Sequence, residues 1–200
     1  MTTNNPRPRG RPRRFDPDGA VATAQALFHA RGYDEVSVAD VTDALGINPP
    51  SFYAAFGSKA GLYARVLDRW SETGAIPLAR ILRPDRPVAE ALAELLEQAA
   101  RHYAADPAID PAAAGCMVLE GTRCADPDAR DTALGFSRAA EAVIRTYVAA
   151  RHPEDADRLT DFVTTTMTGL SARARSGHGL DQLLATARLA GLAIGQALPG

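Results

Sequence analysis

Asn48 and Ser51 are short hydrogen-bonding side chains three positions apart, with Pro49 and Pro50 between them. Asn before Pro reads as a helix N-cap followed by the first helical position, where a missing N–H costs nothing. Short polar side chains at a helix start can hydrogen-bond to the edges of DNA bases, and proline rings can touch a thymine methyl. A second set lies upstream. Residues 1–14, MTTNNPRPRGRPRR, hold five Arg and no acid, so they pair with phosphate rather than pack a core. Within them Arg9-Gly10-Arg11-Pro12 resembles the core of an AT-hook. Arg9, Arg11 and Arg13 suit a narrow A·T minor groove, whose negative potential attracts guanidinium. The segment is expected to be disordered when free.

Other reactive residues are scattered. Cys116 and Cys124 are eight positions apart, about 12 Å along one continuous helix, whereas a disulfide needs Cα atoms within about 7 Å. A bridge would need a break, for which Gly121 is the candidate. Burial as small hydrophobes is one reading of the pair; a redox sensor is the other, with Arg123 lowering the pKa of Cys124. The four His fall on separate segments with no metal-ligand spacing. No phosphate-binding Gly-rich loop, Ser/His/Asp set or paired carboxylates stand out. The sequence therefore implies no metal, no cofactor and no enzyme.

The elements that must position Asn48 and Ser51 lie between Ser37 and Lys59. Ser37, with Asp40 three residues on, reads as a capping box, and Val38, Val41 and Leu45 recur at helical spacing. Gly46 is placed for a left-handed C-terminal cap. Phe52, Tyr53 and Phe56 form the apolar side of the next helix, Gly57 ends it, and Ser58 caps a further helix opening at Lys59. Two short helices joined by a Gly-containing turn form a helix-turn-helix.

This ordered stretch resembles the TetR-type transcriptional regulators. Ser37, Val41, Leu45, Gly46, Ile47, Asn48, Phe52, Tyr53, Phe56, Lys59 and Leu62 carry the resemblance, over about the first third of the chain. It implies that Tyr53 and Lys59 contact DNA phosphates. Ala55 departs from the pattern, since many members have a His or Tyr there that touches the backbone. The resemblance also implies a homodimer formed by the last two helices.

Composition bounds the rest. The net charge is −2, but residues 1–70 carry nine Lys and Arg against seven Asp and Glu, so a basic end precedes an acidic body. Two Cys make no disulfide framework. No signal peptide or membrane span is legible, and a cytoplasmic protein is expected. Abundant Ala without β-branched alternation argues an all-α chain of about nine helices. The expected organisation is a basic arm (1–14), a DNA-binding head (15–70) and a helical body for ligand binding and dimerisation (71–200). Helix 1 starts at Asp16-Pro17 and ends at Gly32. The helix from Lys59 runs to about Ile76, and Trp70 is core at the junction. Body helices are expected over about 88–105, 112–124, 127–151, 154–176 and 180–197, with Ala140, Val143 and Phe162 inside.

The expected function is a homodimeric repressor on a palindromic operator in double-stranded DNA, released by a small-molecule effector. A single short reading helix covers few bases, whereas a two-fold pair spans two groove segments about 34 Å apart. Apolar faces give Leu95, Tyr103, Met117, Phe136, Tyr147, Phe162 and Met167 as the ligand lining. Small residues at helical spacing, Ala187 and Gly191 flanked by Leu184 and Ile194, with Thr165 and Gly169 on the preceding helix, give the dimer face, with packing inside one chain as the alternative. On the DNA side stand Arg9, Arg11, Arg13, Ser37, Asn48, Pro49, Pro50, Ser51, Tyr53 and Lys59. An all-helical enzyme or binding module is the rival from another class.

Overall fold

A computed structural model describes residues 16–104 and 113–198. Every regular element among them is helical. The helices are α1 (Pro17–Arg31), α2 (Val38–Leu45), α3 (Pro49–Phe56), α4 (Lys59–Thr73), α5 (Leu78–Ile81), α6 (Val88–Tyr103), α7 (Met117–Gly121), α8 (Pro127–Ala149), α9 (Ala156–Arg175) and α10 (Leu180–Ala197). A single 3₁₀ turn, Pro153–Asp155, precedes α9. Residues 105–112, between two of the expected body helices, and the whole arm lie outside the described residues.

Two apolar cores organise the chain. The first joins Phe28 of α1, Val41 of α2, Phe52 and Phe56 of α3, and Leu62, Tyr63 and Leu67 of α4. It also takes in Met117 of α7 and Ala129 and Ala133 of α8, so packing continues past residue 70. The second core lies where α6 packs on α9 and α10, with Leu92, Leu95, Leu96, Leu170, Leu183 and Ile144 at its centre. Each fully buried leucine contributes roughly 1.5–3 kcal/mol of transfer free energy.

The expected boundaries hold best where a cap fixes them and shift where the backbone turns. The helix from Lys59 stops at Thr73, because Gly74 closes on the Trp70 carbonyl and Pro77 follows. Leu78–Ile81 forms a helical turn within the proline-rich link. The segment expected as one helix over 112–124 contains only Met117–Gly121. Gly115 has φ 77° and Cys116 is extended, so no helix can begin before Met117. Ala140 and Val143 are exposed rather than inside, and so is Phe162.

Four of the six residues expected at the dimer face are turned inward. Leu184, Ala187, Gly191 and Ile194 are buried on the side of α10 that meets the body core. A Cβ on Gly191 would stand 2.9 Å from the Ala93 Cβ of α6, so the small residue permits this close helix contact within one chain. The outward side of α10 instead exposes Leu189 and Leu192, at 69% and 68%. Thr165 and Gly169 of α9 are exposed.

Candidate nucleic-acid interface

Local hydrogen bonds set where α2 and α3 begin and end. Asp40 N–H donates to Ser37 Oγ at 3.1 Å, and Ser37 N–H donates back to Asp40 Oδ2 at 2.7 Å. Ser37 hydroxyl, Ser37 N–H and Arg31 together hold the Asp40 carboxyl well below the usual carboxylate range. Gly46 occupies the left-handed region (φ 64°, ψ 34°), where a Cβ would be strained, and lets the chain reverse within one residue. Asn48 then caps α3 through its side-chain oxygen, which accepts Ser51 N–H at 2.9 Å.

Phe52 and Phe56 face inward on α3, at 0% and 6% exposure, and thereby orient its opposite side. That side presents Asn48, Pro49, Pro50, Ser51, Tyr53 and Ala54 to solvent. Six of the expected DNA-side residues are thus exposed: Ser37, Asn48, Pro49, Pro50, Ser51 and Tyr53. Ser37 is spent as a cap on Asp40. Lys59 is half-buried. Its Nζ donates to Tyr33 O at 3.1 Å and Val36 O at 3.0 Å, and lies 3.9 Å from the centre of the Tyr33 ring. Two of its three N–H groups are therefore engaged in holding the segment that leads into α2. Arg9, Arg11 and Arg13 lie outside the described residues.

A polar seam joins α1, α4 and the α1–α2 connection to the body. His29 Nε2 lies 3.1 Å from Gly115 O, and Arg175 donates to His29 O at 3.1 Å. Tyr33 hydroxyl donates to Asp126 Oδ2 at 2.7 Å, and the Asp34 carboxylate accepts Ala125 N–H at 3.0 Å. Tyr63 hydroxyl donates to Met117 O at 3.2 Å. Asp126 also caps α8, accepting from Asp128 and Ala129 N–H. The Tyr33 hydrogen bond, foremost, lowers its pKa.

Beside the seam is a cavity of about 340 Å³. Trp70, Tyr103, Cys116, Leu119, Phe136 and Met167 are on its wall, with Thr164 and Thr168 of α9. Three of the seven expected ligand residues, Tyr103, Phe136 and Met167, are there. Leu95 and Met117 are instead sealed in the two cores, and Phe162 points outward. Tyr147 lines a separate groove with Leu82 and Pro84. Trp70 belongs to the head core and to the cavity wall together. Thr164 and Thr168 escape a search for apolar faces. With Met167 they follow one helical stripe, a pattern that marks a shared face without saying what covers it.

The two thiols serve different cores. Cys116 packs against the body core at the cavity wall, and Cys124 lies within the head core. The helix does break at Gly121, but both cysteines are free. Burial is the largest influence on each and pushes both thiols up. Arg123 pairs with Glu120, and the cation acting on Cys124 is Arg130. Among the described residues no cluster of three or more His, Cys, Asp or Glu could hold a metal ion, and no helix is long and apolar enough to cross a membrane.

Comparison with known proteins agrees with this arrangement. Residues 20–66 match the family model described as "Bacterial regulatory proteins, tetR family". The chain is 57% identical, over 97% of its length and 96% of the relative's, to the HTH-type transcriptional repressor BdcR of Escherichia coli (strain K12). It is 31% identical, over 88% of its length and 87% of the relative's, to the HTH-type transcriptional repressor ComR of the same organism. Among solved structures, a cysteine mutant of the TetR family transcriptional regulator CifR with 26-base-pair double-strand operator DNA is similar at TM-score 0.79 and 30% identity. That match covers 92% of this chain and 99% of the other.

Tyr33→Phe removes one hydrogen bond of the seam and is expected to cost about 1 kcal/mol of stability in urea unfolding. The sign with pH follows from the lowered Asp126 pKa. The contribution is complete above the ordinary Asp value of about 4 and is lost as pH falls through the folded-state value. The gap between wild type and variant should therefore close on acidification; a gap independent of pH would show that the carboxylate is not its source.

Proposed function

The chain belongs to the TetR family of bacterial regulatory proteins and is a DNA-binding transcriptional regulator, and from this we propose that it is a homodimeric repressor released from its operator by a small molecule in the cavity. The observation that carries the release step is the position of α7. Leu119 and Val118 line the cavity, while Met117, one residue before, is 1% exposed in the head core and accepts the Tyr63 hydroxyl. A ligand that displaces Leu119 bears on Met117 two residues before it, and through the Tyr63 hydrogen bond on α4. Release requires only that the ligand bind one arrangement of α7 more tightly than the other. The chain's role is binding; catalysis forms no part of it.

The two-fold pair uses the outward sides of α9 and α10. Leu189 and Leu192 supply exposed apolar area, and Phe162, Thr165 and Gly169 lie outward on α9. Such a pair sets two α3 helices on one face of a duplex.

Charge divides the work of holding DNA. Residues 16–70 carry four Lys and Arg against seven Asp and Glu, so this part of the head is acidic. Arg31 is committed to Asp40, and Lys59 to Tyr33 and Val36. Arg65 and Arg69 remain exposed on α4, and the larger share of phosphate neutralisation falls to the arm, through Arg9, Arg11 and Arg13 and their neighbours. Tyr53, 52% exposed, adds a hydroxyl at the groove edge.

Three measurements test this reading. Deleting residues 1–14 should weaken operator binding at least about tenfold and flatten the dependence of log affinity on log salt, by about 0.9 for each phosphate the arm no longer neutralises. An unchanged slope removes the arm from the interface. The double variant Leu189→Glu/Leu192→Glu should sediment as a monomer and lose the operator; a dimer would place the pairing elsewhere. Ser137→Trp, which fills the cavity from α8, should keep operator affinity and abolish release by apolar compounds of up to about fifteen non-hydrogen atoms. Release that survives the filled cavity points to another effector site.

A further inference from the structure

We propose that α3 reads its half-site through the 5-methyl groups of thymines, with no charged side chain entering the groove. The inference rests on the reading that α3 lies in the major groove, and it concerns what α3 can recognise there.

The usual polar pairings are closed to this helix. Guanine is read by Arg or Lys, adenine by a two-pronged Asn or Gln, and cytosine by Asp or Glu. Pro49–Phe56 contains none of these residue types. Asn48, just before it, has committed its side-chain oxygen to Ser51 N–H at 2.9 Å, so only its amide nitrogen remains as a donor. Its nitrogen keeps two N–H donors, while the cap ties its oxygen to the helix start and leaves it a single lone pair.

The backbone offers no substitute. A helix N-terminus normally directs unpaired N–H groups at an acceptor. Here Pro49 and Pro50 have none, and Ser51 and Phe52 N–H donate to Asn48 O at 3.1 and 3.2 Å. Of the cations on neighbouring helices, Arg31 and Lys59 are bound away from the groove side, while Arg65 stands beside the inner end of α3 and Arg69 is exposed farther along α4. Arg31 bridges to Asp40 and Glu35 O, Lys59 is tied to Tyr33 O and Val36 O, and Arg65 sits over the Phe56 ring.

What α3 does present is two proline rings, the Ala54 methyl and the hydroxyls of Ser51 and Tyr53, all exposed. In the major groove the apolar feature that distinguishes one base pair from another is the thymine methyl. The complementary partner is thus a duplex whose half-sites set thymines against Pro49, Pro50 and Ala54, with Ser51 and the Asn48 amide donating to neighbouring acceptors.

The test uses the full chain and duplexes recovered by selection from a random pool. Each thymine is replaced singly by deoxyuridine, which removes the methyl and keeps the base pairing. At least two positions per half-site should lose about fourfold in affinity, the fold-change expected for burying one methyl-sized group. Pro50→Ala should weaken binding to the thymine duplex and have no further effect on the duplex lacking the methyl it touches. If every deoxyuridine duplex binds as tightly as its parent, the methyl readout is overturned. Ala54→Glu separates this from the underlying reading: it should abolish operator binding through charge repulsion in the groove. If Ala54→Glu binds normally, α3 is not in the groove at all. If it fails to bind while deoxyuridine has no effect, only the methyl inference falls.

Discussion

The structure depends on one polar seam, where the end of α1 and the residues after it meet the segment 113–126. Apolar packing between head and body is less directional than hydrogen bonding, so the polar contacts add definition to the register. The bonds from Tyr33 to Asp126, Asp34 to Ala125 and His29 to Gly115 have direction, and they fix one register. Asp126 caps α8 with the same carboxylate that accepts from Tyr33, so the start of a body helix and the exit from α1 share a single group. Lys59 extends the arrangement, lying over the Tyr33 ring and binding the carbonyls that lead into α2. The geometry of the reading unit is in this way set partly by the body.

Much of the head is legible in the sequence because its signals are local. Ser37 with Asp40, Gly46, Asn48 with Pro49, and Ser58 each act within three or four residues, and each cap stands where the spacing puts it. The body is less legible. Periodicity shows that α9 and α10 each have small and apolar faces, but not which face meets α6 and which meets solvent. The same pattern that suggests an outward face for Gly191 and Ala187 serves instead to bring α10 close to Ala93. The stretch around Cys116 reads as apolar and helical by composition, and the positive φ of Gly115 overrides that preference.

The candidate site divides in the same way. Phe52 and Phe56 face inward as their spacing suggests, whereas Tyr53, expected on the same apolar side, is turned to solvent. The cavity wall does not follow from the sequence, because it gathers residues from α4, α6, α7, α8 and α9 that are up to about a hundred positions apart in the chain. Lys59 is the instructive case. Its type and position mark it as a phosphate contact by resemblance, while its surroundings make it first a support for the approach to α2.

Trp70 stands at the end of α4, on the cavity wall, with the His29 and His102 rings at 4.9 and 5.8 Å. It is the only tryptophan in the chain. The protein therefore carries its own optical reporter: indole emission comes from one place, and that place adjoins both the cavity and the helix connecting it to the reading unit.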